Sequence, residues 1–179
     1  MNYFAYGSNM SQPRLAARVP SARAIGVYEL RRHTLRFHKI GRDGSAKCDA
    51  FFTGGEGDRV QGVVYVLHRA EIAVLDEAED LGRGYEKRPV RLWSASAGRI
   101  DAFAYFALQI DTALRPFTWY KQHVLAGARS AGLHPDYVRG IERVPETRDA
   151  DPDRESRELS PYGIGTPVRT PQHGRRSAS

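Results

Sequence analysis

The chain contains a single cysteine, Cys48. One thiol can form neither an intrachain disulfide nor a cysteine-cluster metal site. Long apolar runs are also missing, and nothing approaches the ~20 residues that a membrane-spanning helix needs. Near the N-terminus, Asn2, Tyr6, Ser8 and Asn9 interrupt any apolar stretch, and no basic segment precedes it. No secretory signal is therefore expected, and a cytoplasmic protein without a membrane partner is the simplest expectation. Lysine is scarce, at 4 residues against 23 arginines, although the net charge is +6. The basic runs are short, such as Arg31-Arg32 and Arg175-Arg176, and the arginines are spread along the chain. That pattern fits the bias of a GC-rich genome better than a nucleic-acid surface, so no nucleic-acid partner is expected.

The chemistry-bearing motifs of several enzyme classes are absent as well. His33 and His38 lie five apart, a spacing that does not pair them as metal ligands, and no metal is expected. "TGGEGDR" lacks the lysine and the following helix of a phosphate loop. Ser8 has no G-x-S-x-G setting, which excludes the nucleophile elbow of a serine hydrolase.

At 179 residues the chain is long enough for one domain with a substantial core. Residues 2–7 alternate and are rich in aromatics, which predicts a strand ended by Gly7. Ser11 and Pro13 predict a short helix start. Strands are expected at 24–30, 34–39, 48–53, 60–67, 88–94 and 100–108, several joined by glycine-rich turns such as "GRDGS" and "GGEGD". Helices are expected at 69–80, 117–131 and 135–143. Short connections favour antiparallel pairing. The expected fold is therefore α+β, a small mixed and mostly antiparallel sheet curled towards a barrel, with two main helices. Beyond residue 145 the apolar periodicity stops. Residues 1–145 are read as the domain and 146–179 as a polar, mobile or draped tail.

The segment "IAVLDEAEDLGRGYE" at 72–86 is the most informative. At roughly 100° per residue, Ile72, Leu75, Asp76 and Glu79 share one helical face while Glu77 lies opposite. Glu77 should then face water and Glu79 the interior. An inward carboxylate needs a partner, such as Arg83, or an upward shift of its pKa that suits catalysis. Gly82 and Gly84 form a turn that returns Tyr85 to the same end of the helix, so an acid and a phenol meet there. Tyr120 falls on a stripe with Val124, Ala128 and Ala131, which fits either a packed tyrosine or a pocket residue.

Three stretches together resemble the γ-glutamylcyclotransferase family, within the group that includes the AIG2-like proteins. They are "YFAYGSNM", "DRVQGVVYVLHRAEIAVLDEAEDLGRGYEKRPV" and "FTWYKQHVLAGARSAGLHPDYVRGIE", and the resemblance covers roughly residues 2–143. The resemblance implies a small α+β barrel that cleaves a γ-glutamyl amide with the substrate's own α-amine, releasing 5-oxoproline and an amine or amino acid. It implies Glu79 as general acid/base. It also implies a γ-glutamyl-binding segment of Tyr3, Phe4, Ala5, Tyr6, Gly7, Ser8 and Asn9, with Tyr85, Tyr105 and Tyr120 as further pocket residues. No cofactor is implied, and the expected partner is a small γ-glutamyl molecule bound by a monomer or homodimer. Arg83 and Arg88 are candidates for the pocket mouth. A non-catalytic binding module, or an enzyme for γ-glutamylamines or a biosynthetic intermediate, are the alternatives.

Overall fold

The aromatic alternation at the N-terminus folds as a short strand, β1 (Asn2–Ala5), in which Tyr3, Phe4 and Ala5 are all buried although successive side chains point to opposite faces. In the computed structural model, which describes residues 1–163, this strand is the seam of a closed barrel. The other strands are β2 (Arg23–Arg31), β3 (His33–Ile40), β4 (Ala46–Phe52), β5 (Arg59–Val66), β6 (Tyr85–Ser94) and β7 (Gly98–Ala107). Their order around the barrel is β1-β5-β2-β6-β7. All pairings are antiparallel except the closing one, where Tyr3 of β1 lies parallel to Phe103 of β7. Strands β3 and β4 form a separate hairpin, so the expected single curled sheet is a five-stranded barrel with a two-stranded arm.

The hairpin is fastened to the barrel by specific polar bonds. The Ala107 amide donates to Asp49 Oδ1 at 2.9 Å, and Asp111 donates to the His38 carbonyl at 2.7 Å. His38 Nε2 meets Asp49 Oδ2 at 2.9 Å, both side chains being buried. Between Phe37 and Lys39 the register slips, a bulge that leaves His38 unpaired in the ladder.

Among the described residues there are five α-helices: α1 (Gln12–Ala16), α2 (Ile72–Ala78), α3 (Thr118–Ser130), α4 (Pro135–Glu142) and α5 (Pro152–Leu159). Ser11 stands at the start of α1 without capping it through its side chain; its hydroxyl instead meets that of Tyr162 at 2.7 Å. Helix α3 is the long one, and it packs on the turn Ser8–Met10 that follows β1.

Helix α5 lies inside the stretch read as a tail. Asp149 explains its placement: its carboxylate accepts from Trp119 Nε1 at 2.7 Å and from Arg154 Nε at 2.6 Å. These bonds hold the buried Asp149 carboxyl well below the ordinary carboxylate range, Arg154 acting most strongly. At the far end Glu158 accepts from Arg14 and meets His123 Nε2 at 2.8 Å, while Tyr162 bonds His123 Nδ1 at 2.6 Å. The segment is held by charge and hydrogen bonds rather than by an apolar stripe, so hydrophobic periodicity does not reveal it. Residues 164–179 of the expected tail lie outside the described residues.

Candidate active site

Helix α2 ends where its acid must turn inward. Glu79 is the residue just past the helix, and Asp80 follows with φ of 55°, a left-handed conformation that breaks the helix abruptly. Gly82, with φ of 86°, takes the second left-handed position of the turn. Gly84 keeps the turn tight: a Cβ there would sit 2.9 Å from Lys39 Nζ, 3.1 Å from Asp80 Cβ and 3.2 Å from the Glu79 carbonyl oxygen. The turn thus feeds Tyr85 into β6 beside Glu79.

Glu79 points inward, with a side chain 16% exposed, while Glu77 faces solvent. Asn9 Nδ2 donates to Glu79 Oε1 at 2.8 Å and also to the Tyr3 hydroxyl at 3.0 Å. Arg18 Nη1 lies 3.9 Å from Glu79 Oε1 and donates to Asn9 Oδ1 at 3.1 Å. Burial raises the pKa of Glu79 above its ordinary value, and Arg18 and then Asn9 only partly oppose the rise. Arg83 is not the partner of this acid; it pairs with Asp80.

Glu79 sits on a cleft of about 300 Å³. Tyr3, Tyr6, Gly7, Ser8 and Asn9 form one side, and Tyr85, Tyr105, Tyr120 and Cys48 complete it. The phenols are held in place by fixed partners. Tyr85 donates to the Cys48 carbonyl at 2.7 Å, Tyr120 accepts from the Cys48 amide at 3.0 Å, and Tyr105 donates to Asp76 at 2.6 Å. Tyr6 donates to the Tyr105 carbonyl. Burial pushes the phenols of Tyr3, Tyr6, Tyr85, Tyr105 and Tyr120 upward, so all five stay protonated near neutrality. Burial pushes the Cys48 thiol up to about 12, which leaves it a wall residue and not a thiolate nucleophile.

Gly7 allows the walls to meet. A Cβ on it would lie 3.0 Å from Cys48 Cβ and 3.3 Å from the Tyr120 hydroxyl. Met10 and Ser11 donate to the carbonyls of Gly7 and Ser8, whereas the N–H groups of Gly7, Ser8 and Asn9 find no acceptor among the described residues. These three residues line the cleft, and their amides are free to donate.

Of the positions singled out in the sequence, Phe4 and Ala5 do not line the cleft. Phe4 is buried in the core and the Ala5 carbonyl faces Gly62, whose missing side chain admits it. Arg88 pairs with Glu86 on the surface and, like Arg83, is not part of the cleft. Pattern reading missed Cys48, Arg18 and Lys39. A small cysteine in a strand and a basic residue in an arginine-rich chain carry no periodic signal. Asn9 was singled out only as part of a ligand-binding segment, yet its contacts make it the residue that orients Glu79.

With this geometry in place, comparison with known proteins is decisive about family. The family model described as "Gamma-glutamyl cyclotransferase, AIG2-like" matches residues 3–122. The chain belongs to this family. The γ-glutamylcyclotransferase of Mus musculus is 29% identical over 150 residues, covering 79% of this chain and 77% of that protein. The γ-glutamylcyclotransferase of Homo sapiens has the same identity and coverage. A solved structure named "Gamma-glutamyl cyclotransferase" superposes with a TM-score of 0.77 at 24% identity, covering 84% of this chain and 90% of that one, and so shares the fold. Within the family match lie Tyr3, Glu79, Tyr85, Tyr105 and Tyr120, which is to say every wall of the cleft. Among the described residues no helix is long and apolar enough to cross a membrane.

Proposed function

We propose that the protein is a γ-glutamylcyclotransferase and that Glu79 is its general acid/base. The observation that carries this reading is the inward carboxylate of Glu79, desolvated yet hydrogen-bonded by Asn9, on a cleft lined by phenols and by Gly7 and Ser8. In the reaction the α-nitrogen of the γ-glutamyl group attacks its own γ-carbonyl carbon, and the bond from that carbon to the leaving nitrogen breaks. Glu79 takes a proton from the α-ammonium and returns one to the leaving nitrogen. Overall, both protons lost by the α-nitrogen end on the departing amine, and the enzyme regains its starting protonation state. A carboxyl whose pKa is raised towards neutrality can both accept and donate.

The attack closes a five-membered ring, so proximity does much of the work once the chain is folded in the cleft. The γ-carbonyl oxygen gains negative charge in the tetrahedral intermediate. The N–H groups of Gly7 and Ser8 suit that charge, because they are fixed before the reaction and lack competing acceptors. Tyr85 and Tyr120, anchored on the Cys48 backbone, shape the wall opposite.

The test is release of 5-oxoproline from purified protein and a panel of γ-glutamyl amides. The acid limb of kcat/KM against pH is expected to rise with pH and to turn at a value above 4.5, the ordinary glutamate pKa from which Glu79 is displaced. A limb at or below 4.5 would assign the titrating group elsewhere. Gly7→Ala is a second check. A Cβ there would press on Cys48 Cβ and the Tyr120 hydroxyl, at 3.0 and 3.3 Å. A shift of a few tenths of an ångström in the wall is expected to lower kcat/KM about 10-fold with the fold retained. An unchanged kcat/KM would remove Gly7 from the site.

A further inference from the structure

Beyond the cleft around Glu79 opens a second, larger one of about 910 Å³, which shares Ser8, Glu79, Tyr85 and Tyr120 with it. Under the cyclotransferase reading, a γ-glutamyl group in the first cleft would turn its leaving amine towards the second, across the shared residues. The charges around this outer chamber are almost all spoken for. Arg42 pairs with Asp80, Lys47 with Asp43, Arg14 with Glu158 and Arg154 with Asp149, while Arg18 donates to Asn9 and lies 3.9 Å from Glu79.

Lys39 is the exception. Its side chain is buried, the residue being 5% exposed, and its ammonium makes no ion pair or hydrogen bond among the described residues. Its ammonium lies over the face of Tyr85, 4.6 Å from Nζ to the ring centre. The nearby carboxylates are engaged elsewhere: Glu79 by Asn9, Asp80 by Arg42 and Arg83, and Asp43 by Lys47 and Ser45. Desolvation lowers the Lys39 pKa, as expected for a cation without a full partner.

The position is also held by the fold. The bulge in β3 falls immediately before Lys39, and Ile40 and Asp111 tie the backbone on either side of it to residues 109–111. Gly84 leaves the space into which Nζ reaches, since any Cβ there would crowd it at 2.9 Å. A costly buried ammonium is thus kept, aimed into the chamber and given room.

We propose that Lys39 is a specificity-determining residue that receives a carboxylate carried by the leaving amine. The substrates favoured are then γ-glutamyl amides of amino acids or short peptides over γ-glutamyl amides of simple amines. This inference rests on the cyclotransferase reading above.

The experiment compares γ-glutamyl-L-alanine with γ-glutamyl-ethylamide, whose leaving amines differ only by the carboxylate. Wild-type protein is expected to prefer the alanine substrate by about 10- to 100-fold in kcat/KM, the range of a charge-assisted hydrogen bond. Lys39→Met and Lys39→Gln are expected to remove that preference by lowering turnover of the alanine substrate alone. Equal turnover of both substrates by the wild type overturns the inference while leaving the cyclotransferase reading standing. So does an equal fall on both substrates in the variants, which would give Lys39 a general role in the reaction. Release of 5-oxoproline from neither substrate by the wild type rejects the cyclotransferase reading, and this inference with it.

Discussion

Replacing Glu79 by Gln is expected to lower 5-oxoproline release by roughly 10²- to 10⁴-fold, the span that general acid–base groups contribute. Glutamine keeps the shape and can still bond Asn9, so the geometry survives and only the movable proton is lost. Glu77→Gln, two residues away on the solvent side, is expected to leave kcat/KM within about two-fold, as for most surface substitutions. Equal losses in the two variants would reject Glu79 as the proton carrier.

The same substitution has a signed effect on stability. Because burial raises the Glu79 pKa in the folded chain, the native state binds that proton more tightly than the unfolded state. The Glu79 contribution is then fully present below the unfolded value near 4.5 and is lost as pH rises through the folded pKa. Glutamine does not titrate, so at pH 7 the variant is expected to melt at or slightly above the wild-type temperature. Near pH 4 the two should converge. A variant that is inactive but no less stable is the signature of a functional acid kept at a cost to the fold.

The second large effect concerns Gly127, which is far from the chemistry in sequence. It lies within α3, where glycine is ordinarily about 1 kcal/mol worse than alanine. Here the order is expected to reverse. A Cβ at Gly127 would lie 2.5 Å from both the Met10 carbonyl carbon and the Ser11 nitrogen, and 2.6 Å from Met10 Cβ. Two of the three atoms are backbone and cannot swing aside, so the helix and the Ser8–Met10 turn must separate. Overpacking costs about 1–3 kcal/mol, which exceeds the propensity gain. Gly127→Ala is expected to be destabilised by about 2 kcal/mol in urea unfolding.

The turn that would move carries Asn9, which holds Glu79, and Ser8, which lines both clefts. A displacement approaching 1 Å is therefore expected to lower kcat/KM by up to about 10²-fold as well. Gly140→Ala is the control. It is also helical, but a Cβ there meets nothing within 4 Å, so alanine is expected to stabilise by about 0.5–1 kcal/mol. If both variants respond alike, close packing on the turn is not what selects glycine at 127.

Much of the site was legible because helical and strand periods are local. The 3.6-residue period alone separated Glu79 from Glu77, even though the regular helix stops at Ala78 and Glu79 only follows it. The strand boundaries followed alternation and glycine turns in the same way, as with β7 observed at Gly98–Ala107 against an expected 100–108. The tyrosines were legible through the family motifs that hold them. Helix α5 was missed although the Asp151 cap and Pro152 at its start are local signals, because the Arg14–Glu158 contact that docks its far end joins residues 144 apart in the chain. Ion pairs of that range leave no trace in a local window.

The amino-acid sequence by itself determined the element types up to residue 143, the inward acid, the phenol that follows it and the aromatic strand ended by Gly7. These depend on the spacing of neighbours along one element, which is a property of the chain alone. Only the tertiary structure decided that Asn9 orients Glu79, that Cys48 closes the wall, and that Lys39, not Arg83 or Arg88, faces the outer chamber. Which cation lacks a partner depends on which carboxylates the fold brings within reach. That is settled by the closure of β1 on β7 and the fastening of the β3–β4 arm, contacts between segments that no sequence window contains together.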